Sequence, residues 1–416
     1  MRTIRTQVVI VGAGPAGLLL SHLLHLHGTD SVVLELRSRE HVEQRVRAGL
    51  LEHGTVNLIR QAGLAGRLDR QGLVHDGLLL RFDGGQYRIP FGDLTGWTTT
   101  MYGQQEVVKD LIAARLADGG QVYFGVPDVT VAEVTSQAVV TCTLDDGPVE
   151  IRGDFLAGCD GFHGVCRRSV PARELTAFQH DYPFAWLGIL AQAPPANAEL
   201  VYAAHQRGFA LHSMRSPTVS RLYLQVSRDE TLEQWSDDRI WAELNIRLAV
   251  DGGETVVRGP ITARSITQMR SFVVEPMQYR RLFLVGDAAH IVPPSAAKGL
   301  NLAVSDVRLL AGAFGAWYEE KDRGPLDDYS RTCLRAVWQA QEFSALMTAL
   351  LHRDPVGYHD RLRTARLREL VTSHATALAF AEGYVGLSRH AMLRGARTAR
   401  GLRPVPDPAV ASAQGS

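Results

Sequence analysis

Cysteine is scarce in this sequence, and long apolar runs are missing from it. The four cysteines, Cys142, Cys159, Cys166 and Cys333, form no CxxC pair in a chain of 416 residues. So few cysteines exclude a disulfide framework and favour reduced thiols in the cytoplasm, which is the expected location. No segment approaches the roughly 18 consecutive apolar residues of a membrane-spanning helix, so none is expected.

Net charge and metal-ligand spacing are absent as well. Lysine and arginine total 44, as do aspartate and glutamate, which gives no bulk attraction to nucleic acid or anionic membranes. The histidines show neither HExxH nor Cys/His ligand spacing, so no metal site is expected. The chain length predicts two or three domains, and the 45% hydrophobic content is typical of a globular protein.

The first clear pattern is a β-α-β unit near the N-terminus. "TQVVIVGAG" is typical of a buried strand, "PAGLLLSHLLHLHG" of a helix and "SVVLELR" of a second strand. Gly12, Gly14 and Gly17 form GxGxxG between the first strand and the helix, and Glu35 ends the second strand. This arrangement predicts dinucleotide binding, without separating NAD from FAD; the alternative is an ordinary glycine turn.

Later segments predict further elements of both kinds. Helices are expected from Arg47 to Gly66, from Gln105 to Leu116, and from Gly299 onward to about Gly383. Aromatic and β-branched residues dominate from about Tyr182 to Met269, which predicts a separate sheet.

One hairpin is expected within this sheet, in "LHSMRSPTVSRLYLQV", residues 211–226. A three-residue turn at Pro217–Val219 would place Ser213 opposite Tyr223 and Arg215 opposite Arg221.

Two more glycine-rich segments carry candidate chemistry. "GCDGFHG" spans residues 158–164, and "LVGDAAHIVPPSAAKGLN" spans residues 284–301. In the second segment a buried strand delivers Asp287 at a turn, and a helix begins near Gly299 with its positive end free to face an electron-rich ring. Each segment alone is also compatible with a purely structural turn.

Together, GxGxxG, this internal DG motif and this late GD motif resemble the FAD-dependent aromatic hydroxylases. The similarity extends from about residue 6 to residue 387. Further blocks that resemble the family are "RVRAGLLE", "GLVHDG", "YGQQEV", "YPFAWLG", "RGFALHSMRS", "RSFVVEPMQ", "LHRDP" and "YVGL".

The resemblance implies a mixed α/β fold with a Rossmann-like FAD-binding domain. That domain would comprise residues 1–180 and 270–305, with part of 74–100 joining a β-sheet substrate domain at 181–269. A C-terminal helical region at 306–395, through which a homodimer would form, and a disordered tail at 396–416 would complete the chain.

The resemblance also implies roles for individual residues. FAD contacts are implied for Gly12, Gly14, Gly17, Glu35, Arg47, Gln104, Asp160, Arg221, Asp287, Leu300 and Asn301. Substrate contacts are implied for Tyr202, Ser213, Arg215, Tyr223 and the carbonyl of Pro294, which is counted with the catalytic groups. Tyr202, Tyr384 and His75 would form a proton path. Arg37, His163 and Arg270 would bind NADH or NADPH.

The implied activity is hydroxylation of 4-hydroxybenzoate at carbon 3, with NAD(P)H and O2, through a flavin C4a-hydroperoxide. Arg215 offers a planar fork for a carboxylate, and a phenol with an unperturbed pKa near 10 needs an exit for its proton. A sister hydroxylase of 4-aminobenzoate or 3-hydroxybenzoate is the alternative; a flavin dehydrogenase or oxidase that inserts no oxygen is a more distant one.

Two departures from the family pattern bear on specificity. Leu36 and His41 stand where well-known NADPH-dependent members have arginine and tyrosine, so NADH use, or use of both coenzymes, is expected. Arg37 and Arg39 remain available for a 2′-phosphate. Ser295 and Ala296 replace a Thr-Gly pair beside the substrate carbonyl.

Overall fold

The computed structural model describes residues 1–45, 47, 49–145, 147–250, 256–354 and 356–387. Within them the strands are β1 Arg2–Arg5, β2 Val8–Val11, β3 Ser31–Leu34, β4 Leu50–Glu52, β5 Leu73–His75, β6 Gly77–Phe82, β7 Gly85–Pro90, β8 Thr99–Met101, β9 Gln121–Tyr123, β10 Thr130–Glu133, β11 Ala138–Leu144, β12 Gly147–Gly153, β13 Phe155–Gly158, β14 Thr176–Ala191, β15 Leu200–His205, β16 Gly208–Ser216, β17 Val219–Ser227, β18 Ile261–Glu275, β19 Gln278–Tyr279, β20 Leu282–Leu284 and β21 His290–Ile291.

The α-helices are as extensive as the strands. They are α1 Pro15–Leu26, α2 Arg39–Gln44, α3 His53–Gln61, α4 Leu68–Gln71, α5 Phe91–Thr95, α6 Gln104–Ala117, α7 Asp237–Arg247, α8 Lys298–Glu320, α9 Gly324–Asp327, α10 Tyr329–Leu351, α11 Gly357–Thr372 and α12 His374–Val385. None of these helices is long and apolar enough to cross a membrane. The tail predicted at 396–416 lies outside the described residues.

A six-stranded sheet carries the glycine-rich loop. Its strand order is β19-β20-β13-β2-β3-β9, and all neighbours except β19 and β20 are parallel. The strands β2, β3 and β13 are buried along their whole length, as expected for a parallel sheet covered on both faces. The predicted β-α-β unit is confirmed as β2, α1 and β3. Ligands of such sheets bind beyond the carboxyl ends of the strands.

The helix predicted from Arg47 to Gly66 is wrong in its first part. Residues 50–52 form β4, which pairs with β8 about fifty residues further along, and α3 begins only at His53. Gly49 permits this path, because a Cβ there would lie 2.4 Å from the carbonyl oxygen of Tyr102. The predicted helix from Gln105 to Leu116 is confirmed within one residue at each end.

An eight-stranded sheet forms the second large unit, in the order β21-β18-β14-β17-β16-β15-β6-β7. The predicted hairpin register within it is wrong. Ser213 lies opposite Arg221, and Tyr223 lies opposite Leu211, because the turn has two residues, Pro217 and Thr218, and a register shift between Met214 and Ser216 moves the pairing by one further residue. The domain boundaries given above stay a prediction.

Direct cross-strand partners show which residues share a face of this sheet. Tyr202, Leu211 and Tyr223 form one row across β15, β16 and β17, and Ser213 with Arg221 lies two residues along. Residues that are opposite each other, or two apart along a strand, project from the same face. The helices α10 and α12 cover this face, so a single apolar core joins it to Tyr384 and Phe343.

Candidate active site

Four acidic or glycine positions predicted to bind FAD follow adjacent strands of the parallel sheet. Gly12 follows β2, Glu35 follows β3, Asp160 follows β13, and Asp287 lies three residues after β20. The carboxyl ends of these parallel strands lie along one edge of the sheet, so the sheet itself brings together groups that are up to 275 residues apart in sequence.

The glycine-rich loop is closely packed at two of its three glycines. A Cβ on Gly12, whose φ is +104°, would lie 2.3 Å from the Cys159 carbonyl oxygen, and one on Gly17 would lie 1.9 Å from that of Gly12. Around Gly14, by contrast, no described atom lies within 4 Å of the same position. The loop is therefore tightly packed at Gly12 and Gly17, and it leaves space at Gly14, beside the N-terminus of α1. This space fits a pyrophosphate.

Glu35 and Asp160 each have part of their carboxylate already engaged. The Oε2 of Glu35 accepts a hydrogen bond from the Ala13 N–H at 2.7 Å, and its Oε1 accepts one from the Arg37 N–H at 2.9 Å. The Oδ2 of Asp160 accepts one from the Cys166 N–H at 2.8 Å, whereas its buried Oδ1 has no partner in the part of the chain that the structure describes. Burial raises the pKa of Asp160. These oxygens fit the hydroxyl groups of a nucleotide chain.

The turn that carries Asp287 is stabilised by a buried aspartate of α8, Asp306. Gly286 adopts a φ of +61°, and its N–H donates to the Oδ2 of Asp306 on α8 at 3.0 Å. The same Oδ2 lies 2.6 Å from the Nε2 of His290, and both side chains are buried. Asp287 itself is exposed, so Asp306 fixes the backbone from which Asp287 projects.

The N-terminus of α8 is anchored by the side chain of Asn301. Its Oδ1 accepts hydrogen bonds from the Glu52 N–H at 2.9 Å and the Thr55 hydroxyl at 2.8 Å, and its Nδ2 donates to the carbonyls of Leu50 and Ala297. This side chain is thus committed to joining α8 to β4. The backbone N–H groups of Leu300 and Asn301, in the first turn of the helix, are the groups that can face a flavin ring.

Arg215, near the end of β16 in the eight-stranded sheet, is only partly paired. Its Nη2 donates to the carbonyl of Arg47 at 2.6 Å, which connects the sheet to the segment before β4. Its Nε and Nη1 are buried and make no hydrogen bond to any described residue, and burial lowers its pKa. Buried guanidinium groups are normally paired, so this geometry fits an incoming anion.

Tyr223 and Arg221 lie within electrostatic reach of Arg215 and form a polar group with Ser213. The Ser213 hydroxyl donates to the Arg221 carbonyl at 3.0 Å, and the Arg221 guanidinium lies 5.0 Å from the centroid of the Tyr223 ring. Gly188, opposite Tyr223, provides room for both, because a Cβ there would lie 3.0 Å from the Nη2 of Arg221. Pro294 is exposed, and its carbonyl accepts the Ala297 N–H at 3.0 Å.

Two of the three groups of the predicted proton path are in contact. The hydroxyls of Tyr202 and Tyr384 lie 2.9 Å apart, and both side chains are buried. Burial raises the pKa of Tyr202 to about 12 and that of Tyr384 as well. His75 is buried in β5, where desolvation lowers its pKa to about 4, and its ring nitrogens have no hydrogen-bond partner among the described residues. The structure does not join His75 to the tyrosine pair.

The residues predicted to bind the nicotinamide coenzyme are more dispersed. Arg37 and His163 are exposed, and Arg270 is half-buried with its guanidinium 5.3 Å from the centroid of the Phe162 ring. Gln104 is the first residue of α6 and is half-buried.

The sequence reasoning missed Arg45 in this region. Desolvation and then the charge of Arg47 lower its pKa, while Asp287 and Glu35 raise it. Arg45 therefore lies within electrostatic reach of the FAD-binding residues.

Comparisons with known proteins show the family to which this chain belongs. A family model described as an FAD binding domain matches residues 5–344. The p-hydroxybenzoate hydroxylase of Acinetobacter baylyi is 45% identical over 390 residues, which cover 93% of this chain and 96% of that protein. The chain belongs to the FAD-dependent aromatic hydroxylases. This hydroxylase is therefore an FAD-dependent monooxygenase, and the predicted fold class is confirmed.

More distant relatives of this hydroxylase share the fold. The 3-(3-hydroxy-phenyl)propionate/3-hydroxycinnamic acid hydroxylase of Mycolicibacterium smegmatis is 28% identical over 72% of this chain and 53% of its own length. The solved p-nitrophenol 4-monooxygenase of Pseudomonas putida superposes with a TM-score of 0.77 at 18% identity, over 92% of this chain and 99% of its own. The similarity to this solved structure concerns the fold alone.

A buried ion pair of this hydroxylase was also missed from the sequence. The Lys298 Nζ donates to the Glu52 Oε1 at 2.7 Å and to the Tyr384 carbonyl at 2.5 Å. These contacts join the first turn of α8 to the tyrosine pair, and both charged side chains are buried. A lysine just before a predicted helix carries no local signal for a partner 246 residues away.

Proposed function

We propose that this hydroxylase inserts one oxygen atom at carbon 3 of 4-hydroxybenzoate. The observation that carries the proposal is the guanidinium of Arg215, which has two buried, unpartnered nitrogens and belongs to the same sheet as Tyr202, one member of the tyrosine pair. A benzoate carboxylate supplies the counter-charge that this group lacks. The relative from Acinetobacter baylyi, which is named for p-hydroxybenzoate, adds independent support.

The substrate would lie along the face that carries both groups. Arg215 binds the carboxylate through a planar fork, and Ser213 and Tyr223 add neutral hydrogen bonds at the same end. Tyr202 hydrogen-bonds the 4-hydroxyl and, because its own pKa is about 12, stays protonated while it orients that oxygen. Tyr384 continues the path by which the phenolic proton leaves.

His75 would end the proton path. A pKa of about 4 keeps its ring neutral near pH 7, so the ring can accept a proton but does not hold one for long. A bridging water or a small shift of the tyrosine pair is required to reach it, because no direct hydrogen bond joins His75 to Tyr384 within the described residues.

The bound FAD supplies the chemistry that the side chains lack, namely the reductive activation of O2 with electrons from the nicotinamide coenzyme. The balanced reaction consumes one aromatic acid, one O2, one NAD(P)H and one proton. It releases the dihydroxybenzoate, NAD(P)+ and water. The protein contributes position, exclusion of water and a path for the phenolic proton.

We expect NADH to be accepted as well as NADPH, or in preference to it. Leu36 follows Glu35 and offers no charge to a 2′-phosphate, while the Arg39 Nε is bonded to the Glu43 Oε1 at 2.7 Å. Arg37 is the remaining exposed cation of this segment. A homodimer through the C-terminal helices and a cytoplasmic location complete the proposal.

The test begins with the purified yellow protein and a panel of substituted benzoates. We expect 4-hydroxybenzoate to accelerate flavin reduction by NADH or NADPH and to yield a product heavier by one oxygen atom. If 4-aminobenzoate or 3-hydroxybenzoate alone does so, the substrate assignment is wrong but the reaction class holds. If reduction produces hydrogen peroxide with every benzoate and no heavier product, the proposal as a whole is wrong.

A further inference from the structure

The tyrosines that face the proposed substrate rest on a shared cluster of aromatic rings. The Trp186 ring on β14 lies 4.8 Å from the Tyr223 ring and 5.0 Å from the Phe209 ring, measured between centroids. Phe209 in turn lies 6.1 Å from Tyr202. Trp186 and Phe209 therefore pack against Tyr223 and Tyr202, respectively, and against each other.

His352 is the polar member of this cluster. It follows the last residue of α10, and its ring lies 4.6 Å from Phe209 and stacks on Phe184 at 4.4 Å. The Trp186 Nε1–H donates to its Nε2 at 2.5 Å, and its Nδ1 lies 2.9 Å from the Thr348 carbonyl oxygen. An indole N–H can only donate, so Nε2 must accept and Nδ1 must carry the proton.

The environment keeps His352 in that single form. The side chain is buried, and burial lowers its pKa to about 3. A protonated ring would also point an Nε2–H at the indole N–H. The distance and the tautomer together make His352 a fixed acceptor for Trp186 at any pH near neutrality.

The same turn of α10 also contacts Ser295, in the segment that follows Pro294. The Thr348 hydroxyl donates to the Ser344 carbonyl at 2.7 Å, so the Ser295 hydroxyl, 2.9 Å away, must donate to the Thr348 oxygen. Ser295 directly follows Pro294, whose carbonyl is assigned to the substrate. The last turn of α10 thus contacts both Ser295, next to Pro294, and His352, in the aromatic cluster.

We propose that His352 is a positioning residue for the aromatic substrate, and that it acts by holding the Trp186 ring against the ring of Tyr223. The inference rests on the proposed function, because Tyr223 is assigned to the substrate there. Loss of the acceptor would leave the Trp186 N–H buried and unpaired, which is costly, so the indole would turn to find another partner. Tyr223 and Phe209 would then lose the surface on which they pack.

A double-mutant cycle tests this coupling. His352→Leu removes the acceptor, His352→Gln keeps one, and Trp186→Phe removes the donor. Binding of 4-hydroxybenzoate is followed through the absorbance of the bound flavin, and product is counted per NAD(P)H consumed. We expect His352→Leu to weaken binding by about tenfold and to lower product yield, and His352→Gln to restore most of both. When Trp186→Phe is already present, adding His352→Leu should cause little further loss of substrate affinity or product yield.

Controls separate positioning from general damage. FAD affinity should be equal in all variants, since the cluster lies on the substrate sheet. Trp338→Phe alters a 41% exposed tryptophan outside the cluster and should bind substrate as the wild type does. If folded His352→Leu binds substrate and forms product normally, or if its effect is undiminished by Trp186→Phe, the inference is wrong.

The proposed function can fail separately. If the wild type does not bind 4-hydroxybenzoate but binds another substituted benzoate, the substrate assignment fails, and the cycle is run with that compound. If the wild type binds no benzoate, both proposals are overturned.

Discussion

Around the glycine-rich loop, the acidic side chains are bonded to backbone N–H groups, whereas on the substrate face a guanidinium is buried with two nitrogens unpaired. Both carboxylate oxygens of Glu35 accept hydrogen bonds from backbone N–H groups, one on the glycine-rich loop and one on its own loop, whereas Arg215 donates only through Nη2. Around the glycine-rich loop, backbone N–H groups fix the acidic side chains. On the eight-stranded sheet, the charge of Arg215 is left without a counter-charge. Under the proposed function, the difference corresponds to a cofactor that stays bound and a benzoate that arrives in every cycle with its own negative charge.

This contrast has a thermodynamic consequence. A ligand that binds only the folded state stabilises it in proportion to its concentration and affinity. The glycine-rich loop is closely packed against neighbouring backbone, so substitutions at its packed glycines should lower the stability of the protein through steric conflict. The substrate site is completed by the ligand carboxylate, so its substitutions should weaken ligand binding and leave the fold intact.

The largest effect is expected from Gly12→Ala. Because the new Cβ would lie 2.3 Å from the Cys159 carbonyl oxygen at a φ of +104°, we expect at least about 3 kcal/mol of strain and loss of retained FAD. Flavin content and thermal unfolding measure both. Gly14→Ala is the matched control, since no described atom lies within 4 Å of its Cβ. It should keep the apoprotein stable and weaken FAD binding alone. Equal stability of the two variants would contradict the packing argument.

Arg215→Ala should follow in magnitude. Removing the carboxylate partner should weaken 4-hydroxybenzoate binding by about 100-fold, or about 3 kcal/mol, while FAD stays bound. Arg215→Lys keeps the charge but not the planar fork and should give an intermediate affinity. Arg173→Ala changes an arginine with 84% of its side chain exposed and serves as the control. Substrate titration of the bound flavin makes the measurement, and unchanged affinity would remove Arg215 from the site.

Tyr202→Phe should separate the two halves of the reaction. The ring and its packing remain, so substrate-stimulated flavin reduction should persist, but the 4-hydroxyl loses its partner and product formation should slow about 10- to 100-fold. Stopped-flow absorbance and product quantification measure the two steps. Tyr384→Phe should have a similar effect, and the double variant should be little worse, because the hydroxyls act as a pair at 2.9 Å. Full product yield from Tyr202→Phe would exclude the proton path.

The smallest effect per side chain is a loss of stability in acid. His75, His212 and His352 are buried, and desolvation lowers their pKa values to about 4, 4 and 3. The unfolded chain takes up these protons near pH 6.5 and the folded chain does not, so the free energy of unfolding falls as the pH falls from 6.5 toward 4. At pH 5 each histidine should cost about 2 kcal/mol at most. Denaturant titrations at pH 7.5 and 5.0 test this, and His212→Asn should reduce the difference in the free energy of unfolding by up to about 2 kcal/mol.

The local parts of this fold could be predicted from sequence because their signals are local. The β-α-β unit needs only apolar strands, three glycines and an acidic residue at a fixed spacing, all within residues 8–35. The helix predicted from Arg47 failed because Leu50–Glu52 pairs with a strand about fifty residues away. The predicted hairpin register was wrong because the turn is one residue shorter than expected, and because the register shift between Met214 and Ser216 leaves no mark in the alternation of side chains.

The candidate site was harder to predict, because its residues come from positions far apart in the sequence. Ser213, Arg215 and Tyr223 could be assigned only through resemblance to a family, since shared parity on two strands says nothing of the ligand. Contacts such as Lys298 with Glu52, or Trp186 with His352, join residues 246 and 166 positions apart. A side chain whose partner is that distant has no sequence pattern to reveal it.

Oxidation of 4-hydroxybenzoate under isotopically labelled dioxygen tests the central claim most directly. The account predicts 3,4-dihydroxybenzoate in which the new hydroxyl carries one labelled oxygen atom, with NAD(P)H and substrate consumed in nearly equal amounts. Arg215→Ala, assayed under the same conditions, should give little product although its flavin is intact. Unaltered 4-hydroxybenzoate with stoichiometric hydrogen peroxide, or an unlabelled product, would contradict the account.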